Sequence, residues 1–332
     1  SRTRIVIMRL PSDPGRVLQS LHPHRWHRDH RLFVRGLSAR TIHRNAIAAC
    51  QMLLALSFAV AQSTMLCRAS EIETEHLFAF TTGSDVGTLG EREFEGGTTA
   101  RFGKRAGKYS TGEQTFSTEF VPLPNLRTEY TAELVAHDIA GVNGFEDRRQ
   151  FAIGGFSADF RYRLLDRATA PFGFALGIEP RWSRIDDGSG ARVREYGADL
   201  VAAFDKEIVR DRIVAAFNLL YQPEISHARA GGAWSREATA GVATAVMARV
   251  SPGVFLGIEG RYLRRYESLG FDAFAGHAGF LGPTLFIKLS SRAWVAAAWS
   301  AQVAGRAAYA PGPLDLVNFE RHQIRLLFGM NF

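Results

Sequence analysis

Three groups of residues in this 332-residue chain have types and spacings that chemistry could use. The first, Gly103-Lys104-Arg105-Ala106-Gly107-Lys108-Tyr109, has the glycine and lysine content of a phosphate loop. A phosphate loop needs four residues between its glycines and a Ser or Thr after the lysine to reach magnesium. Here three residues intervene and Tyr109 follows Lys108, so the stretch reads as a basic loop. The second, Asp186-Asp187-Gly188-Ser189-Gly190, could be an acid pair or the start of a calcium loop. Calcium needs more oxygens at regular spacing, and Asp with Gly is ordinary turn chemistry. The third pairs His322 with Thr82 or Ser84, a base and a hydroxyl that could hydrolyse an ester. That chemistry needs hydrogen-bond reach and a third group to orient the base, and none stands out. No catalytic residue, no metal and no cofactor is therefore expected.

Such groups act only if the fold positions them, and the dominant pattern is a period of two. Phe156, Ala158, Phe160, Tyr162 and Leu164 alternate with Ser157, Asp159, Arg161 and Arg163. Ile324, Leu326, Phe328, Met330 and Phe332 form one face of the final segment. Alternation over short runs marks strands with two unlike faces. Twelve strands are read, at about 74–82, 112–121, 126–138, 149–164, 172–185, 193–206, 212–226, 234–249, 253–266, 277–289, 292–306 and 319–332. Residues 83–111 are read as one long first loop, and splitting them into two strands would give fourteen.

A soluble sandwich also alternates. Three features favour a transmembrane antiparallel up-and-down β-barrel. Charges sit mid-strand on the polar faces, and aromatics such as Tyr162, Trp182, Tyr196 and Tyr262 sit near strand ends. Connections alternate short and long, as they do between the two sides of an outer-membrane barrel.

The chain's charge divides unevenly. Residues 1–69 hold eleven Arg, no Lys and two acids, a net +9, whereas 70–332 hold 29 basic and 31 acidic groups, a net −2. The basic balance that suggests nucleic acid thus belongs to the leader, and no nucleic-acid partner is expected of the body. Residues 1–45 are read as a basic extension outside the mature protein. Residues 46–69 are read as a secretory h-region and cleavage region, because the sixteen mostly apolar residues from Ala46 to Ala61 fall short of the roughly 20 a spanning helix wants. Both cysteines, Cys50 and Cys67, lie there, so no disulfide framework is expected in the body. The barrel is assigned to 70–332.

The closing Phe328-Gly329-Met330-Asn331-Phe332 resembles the terminal strand of bacterial outer-membrane barrels, which the barrel-assembly machinery reads. Phe80–Gly87, Arg161–Asp166, Ala215–Tyr221 and Asn318–Gln323 carry a resemblance to uncharacterised outer-membrane barrels of α-proteobacteria. A looser similarity is to the barrel family named after a meta-pathway of phenol degradation. The resemblance implies a bacterial outer-membrane location, with membrane lipid, lipopolysaccharide and the assembly machinery as partners, and Phe328, Met330 and Phe332 as the assembly signal.

Within a barrel, the polar faces become the lumen. The groups expected to line it are Glu129 and Glu133 on the third strand, with Asp159, Arg161 and Arg163 on the fourth. Glu179, Arg181 and Asp199 follow, then Glu259, Arg261 and Arg265 on the ninth strand. Lys288, Arg306, Arg321 and Arg325 complete the set. Acids gather on early strands and bases on late ones, which suits a passive channel for small hydrophilic or amphipathic solutes. The same charges could instead pair and fill a closed structural barrel, since twelve strands lie between filled and open cases.

Overall fold

The computed structural model describes residues 72–332; the reading of residues 1–71 as extension and signal lies outside them. Twelve strands form one closed antiparallel barrel in which each strand pairs with its sequence neighbours and the first pairs with the last. They are β1 (Arg92–Phe102), β2 (Lys108–Leu123), β3 (Leu126–Ala140), β4 (Arg148–Leu165), β5 (Gly173–Ile185), β6 (Arg192–Val209), β7 (Ile213–Ala228), β8 (Ser235–Ser251), β9 (Val254–Tyr266), β10 (Phe274–Lys288), β11 (Ala293–Ala307) and β12 (His322–Asn331). No helix of the described residues is long and apolar enough to cross a membrane; the strands form the wall.

Strand count and fold class match the sequence expectation, but the first strand is elsewhere. Residues 74–82 are not a strand, and the expected loop at 83–111 contains β1 and the start of β2. The physical reason lies in what each segment buries. Leu77, Phe78 and Ala79 are all buried, so the stretch is covered on every side rather than on one face. In β1 the alternation is genuine but faint: Phe94 and Phe102 are its only large apolar outward residues, and Gly96-Gly97 imitates a turn.

The wall shows the inverted polarity of a membrane barrel. Outward side chains are apolar and exposed, among them Phe151 at 72 % and Ile258 at 57 % exposure. Inward positions carry the charges and several small residues, including the buried Ala203, Ala216, Ala243 and Ala245. Tight connections at one end use left-handed residues, Asn125 between β2 and β3 and Asp211 between β6 and β7. Asn and Asp tolerate that conformation because their short polar side chains bond locally. The seam is continuous from Glu93–Asn331 to Phe102–His322, and the chain both enters and leaves the wall at the tight-turn end.

One bulge reverses a face. Phe280 pairs with Gln302 and Gly279 with Ala304, so Val303 is left over on β11. Residues beyond it shift by one position, as a bulge requires.

Leu219, 48 % exposed on the outer face near the middle of β7, tests the membrane-facing assignment. Leu219→Arg should destabilise the barrel in lipid by about 2–4 kcal/mol, the cost of a cation at the bilayer midplane. Urea-dependent folding into vesicles, scored by the heat-sensitive gel mobility of folded barrels, measures it; an unchanged midpoint would rule out a lipid-facing position.

Candidate functional site

The lumen is occupied by the chain itself. Residues 72–90 precede β1, start at the tight-turn end, reach mid-barrel near Phe80 and return. Their apolar side chains Ile72, Leu77 and Phe78 pack with Val214, Ala216, Ala245, Met247 and Phe255 of the wall. The alanines on the wall leave room for this segment.

A chain without a strand partner must satisfy its backbone otherwise, and wall side chains do so. Ala79 N and Phe80 N each donate to one oxygen of Glu259 at 2.8 Å. Thr82 N donates to Asn218 Oδ1 at 2.7 Å, and Asn218 Nδ2 returns a bond to Thr82 O at 2.8 Å. Ser84 N and Thr74 Oγ1 both donate to Asp205 Oδ2 at 2.6 Å. Arg325 Nη1 donates to Ala79 O at 2.9 Å. The segment's two limbs are joined where Thr74 N donates to Asp85 Oδ2 at 2.8 Å. Arg167, on the β4–β5 connection, reaches Asp85 at 2.6 Å and Asp205 at 3.3 Å.

The charges around this plug are paired at short range. Arg127 on β3 lies 2.7 Å from Glu129, 3.0 Å from Asp159, 3.2 Å from Glu119 and 3.8 Å from Glu75. Arg161 also meets Asp159, at 2.9 Å, and Arg163 meets Asp85 at 3.4 Å. Arg181 bridges Asp199 at 3.3 Å and Glu224 at 2.8 Å, while Glu179 accepts from Ser157 at 2.6 Å. Arg261 stacks over the Phe80 ring at 4.1 Å and bonds Gln323; Arg265 pairs with Glu237.

Burial, and then Arg127 and Arg161, pull the His76 pKa down, while burial and then Glu119 push the Glu75 carboxyl upward.

The other end is covered by loops. In the β11–β12 connection Asp315 is fully buried, its N–H donating to Gln302 Oε1 at 2.6 Å. Phe319 packs edge-on against Phe280. Lys104, from the supposed phosphate loop, donates to Val317 O at 3.1 Å and Phe319 O at 3.0 Å and so fastens this cover. Burial pulls its pKa down. In the β5–β6 connection Asp186 accepts from Ser189 N at 2.7 Å, as a turn Asp does. Its neighbour Asp187 points inward, within 4.8 Å of Glu113 and Glu133. Burial, and then repulsion by Glu113, pushes Asp187 up to about 6.

Several expected residues stand apart. Lys288 is at the tight-turn rim, half exposed, 3.9 Å from Glu73. Arg306 is exposed and sits opposite His277, because the leftover Val303 turns it to the outer face. Arg321 is exposed at the loop end. Phe328, Met330 and Phe332 face outward along the seam strand. His322 pairs with Phe102 and Ala301 and stacks near Trp299, whereas Thr82 and Ser84 are inside the barrel, so that base and those hydroxyls do not meet. The reading missed Arg127, although Leu126-Arg127-Thr128-Glu129 already places it on the face of Glu129. It also missed Glu93 and Glu95, which followed from misplacing β1.

Comparison with known proteins supports the architecture. No curated protein matches the chain in sequence. Among solved structures, the COG4313 outer membrane channel from Pseudomonas putida F1 is similar with a TM-score of 0.50 at 14 % identity, over 75 % of this chain and 98 % of that one. The translocator domain of the autotransporter NalP from Neisseria meningitidis gives 0.41 at 10 % identity, over 90 % and 100 %. The Pseudomonas putida toluene transporter TodX gives 0.38 at 8 %, over 80 % and 96 %. The first of these likenesses describes the fold. The model of a family of unknown function, DUF6662, matches residues 70–332, and the chain belongs to that family.

Proposed function

We propose that this protein is a bacterial outer-membrane channel that gives a small hydrophilic or amphipathic solute a gated, passive route, without catalysing a reaction. One observation carries the reading. Residues 72–90 fill the lumen but are held by side chain-to-backbone bonds rather than by the strand ladder, so the wall stays intact if they move. Beyond the plug, Glu179, Arg181, Asp199 and Arg265 are among the charged groups a solute would meet. Lipid and lipopolysaccharide then contact the outer face. Phe328, Met330 and Phe332 serve as the assembly signal, and Phe332→Ala should reduce the folded barrel recovered from outer membranes severalfold while leaving synthesis unchanged. Equal recovery would remove that role.

A closed structural barrel is the second reading, favoured by the coverage of both ends. Planar-bilayer recording separates the two. Glu259→Ala deletes two charge-assisted bonds to the plug, together worth about 3 kcal/mol, and should raise the open population on the order of 100-fold. A variant as silent as the wild type would favour the closed barrel.

The Asp187 seat should respond to pH. It is faced by Glu113 and Glu133, by Arg101 and Arg181, and by adjoining Asp186. An acid whose folded pKa lies above its unfolded value stabilises its seat below that unfolded value, and the contribution is lost as pH rises through the folded one. Hydrogen exchange at residues 188–190 should therefore accelerate beyond the intrinsic pH trend as pH rises toward about 6 and level off above it, and Asp187→Asn should flatten the excess. A profile identical in both proteins would refute it.

A further inference from the structure

At the loop-end rim the outer face carries a row of basic groups across three strands. His277 on β10 pairs with Arg264 of β9 on one side and with Arg306 of β11 on the other. Neighbouring strands lie about 4.8 Å apart, so the two guanidiniums stand on strands roughly 10 Å apart with the imidazole between them. The row exists because of the bulge. Without the leftover Val303, Arg306 would fall on the lumen face with Ala296 and Ala298. Bulges often re-aim a side chain in this way.

The row has no counter-charge. Among the described residues no carboxylate pairs with Arg264, His277 or Arg306. Glu267 and Asp272 of the β9–β10 connection are exposed, and Asp272 instead accepts from Ser268 Oγ at 2.7 Å. Arg264 lies over the Phe274 ring at 4.8 Å and the Tyr266 ring at 5.6 Å, and the His277 ring lies 5.6 Å from that of Tyr262. Such contacts orient the groups without cancelling the guanidinium charge. Elsewhere on the rim an acid does cancel it: Lys108 pairs with Asp138, and Arg149 sits opposite the same Asp138. Toward mid-wall from the row the outer face is apolar, with Tyr262, Leu281, Trp299 and Val303 all exposed.

Cations at the rim above an apolar face fit a lipid with phosphate at its head and acyl chains below. The longer connections mark the outer side of an outer-membrane barrel, where the leaflet carries lipopolysaccharide. We propose that Arg264, His277 and Arg306 hold a phosphate group of lipopolysaccharide, with its acyl chains lying along Tyr262, Leu281 and Val303. Guanidiniums bind phosphate through paired N–H bonds, and the imidazole adds an N–H donor. The site rests on the outer-membrane reading above and gives the lipid contact a fixed place on the wall.

The test is protection of arginines from phenylglyoxal, read residue by residue by peptide mass spectrometry on the full chain folded in detergent. Heat-dependent gel mobility confirms the fold. Purified lipopolysaccharide should slow modification of Arg264 and Arg306 about fivefold or more, while Arg149 reacts as before. Lipopolysaccharide stripped of its phosphates should give no protection, nor should inorganic phosphate at the same concentration. Arg306→Gln should reduce the protection of Arg264. Each arginine is read separately, so binding by the basic leader does not enter the result. Equal protection of Arg149, protection by the dephosphorylated lipid or by inorganic phosphate alone, or undiminished protection of Arg264 in Arg306→Gln overturns the site. A heat-modifiable barrel with unprotected arginines overturns the site and leaves the outer-membrane reading standing, whereas a chain that gives no heat-modifiable barrel overturns both.

Discussion

A twelve-stranded barrel encloses more space than its inward side chains can fill, and it has no water-free way to leave that space empty when charges line it. Here the remaining volume is filled by the chain. That single constraint explains why inward alanines cluster on β6, β7 and β8, and why Glu259, Asn218 and Asp205 are so deeply buried. They substitute for the strand partner that residues 72–90 lack.

The same constraint sets the electrostatics. A buried charge is tolerated only when paired and hydrogen-bonded. Arg127, Arg167 and Arg181 each sit among two or more acids, so positive charge is distributed to where carboxylates are crowded. The separation of acidic and basic walls suggested by strand-by-strand counting is therefore softened by arginines placed within the acidic half. What remains uneven is local: the carboxylates around His76, and those around Asp187.

Most of the wall was legible because lipid and lumen impose opposite demands on adjacent residues. β4 and β12 show this most cleanly, with Phe160 and Tyr162 against Asp159 and Arg161, and Ile324 and Leu326 against Gln323 and Arg325. β1 was hidden because its outward face is mostly Gly, Thr and Ala. The plug passed for a strand because Leu77-Phe78-Ala79-Phe80 is apolar throughout, and apolar runs look alike whether buried in a sheet or in a lumen. The bulge at Val303 left no mark in composition, so Arg306 was assigned to the wrong face. Contacts among distant segments, such as Glu259 with Ala79, have no local signature at all.

The plug's connectivity has a mechanical side. Its two limbs lie side by side and both leave by the tight-turn rim. Tension applied at Ile72 would therefore load Glu207, Arg167 and Asp205 first, then Glu259 and Asn218 in turn, peeling the attachments singly. A segment threaded straight through the barrel would load all its bonds together in shear. The folded-back path makes withdrawal a sequence of small barriers, so a force too weak to disturb the wall is sufficient to strip the plug from it.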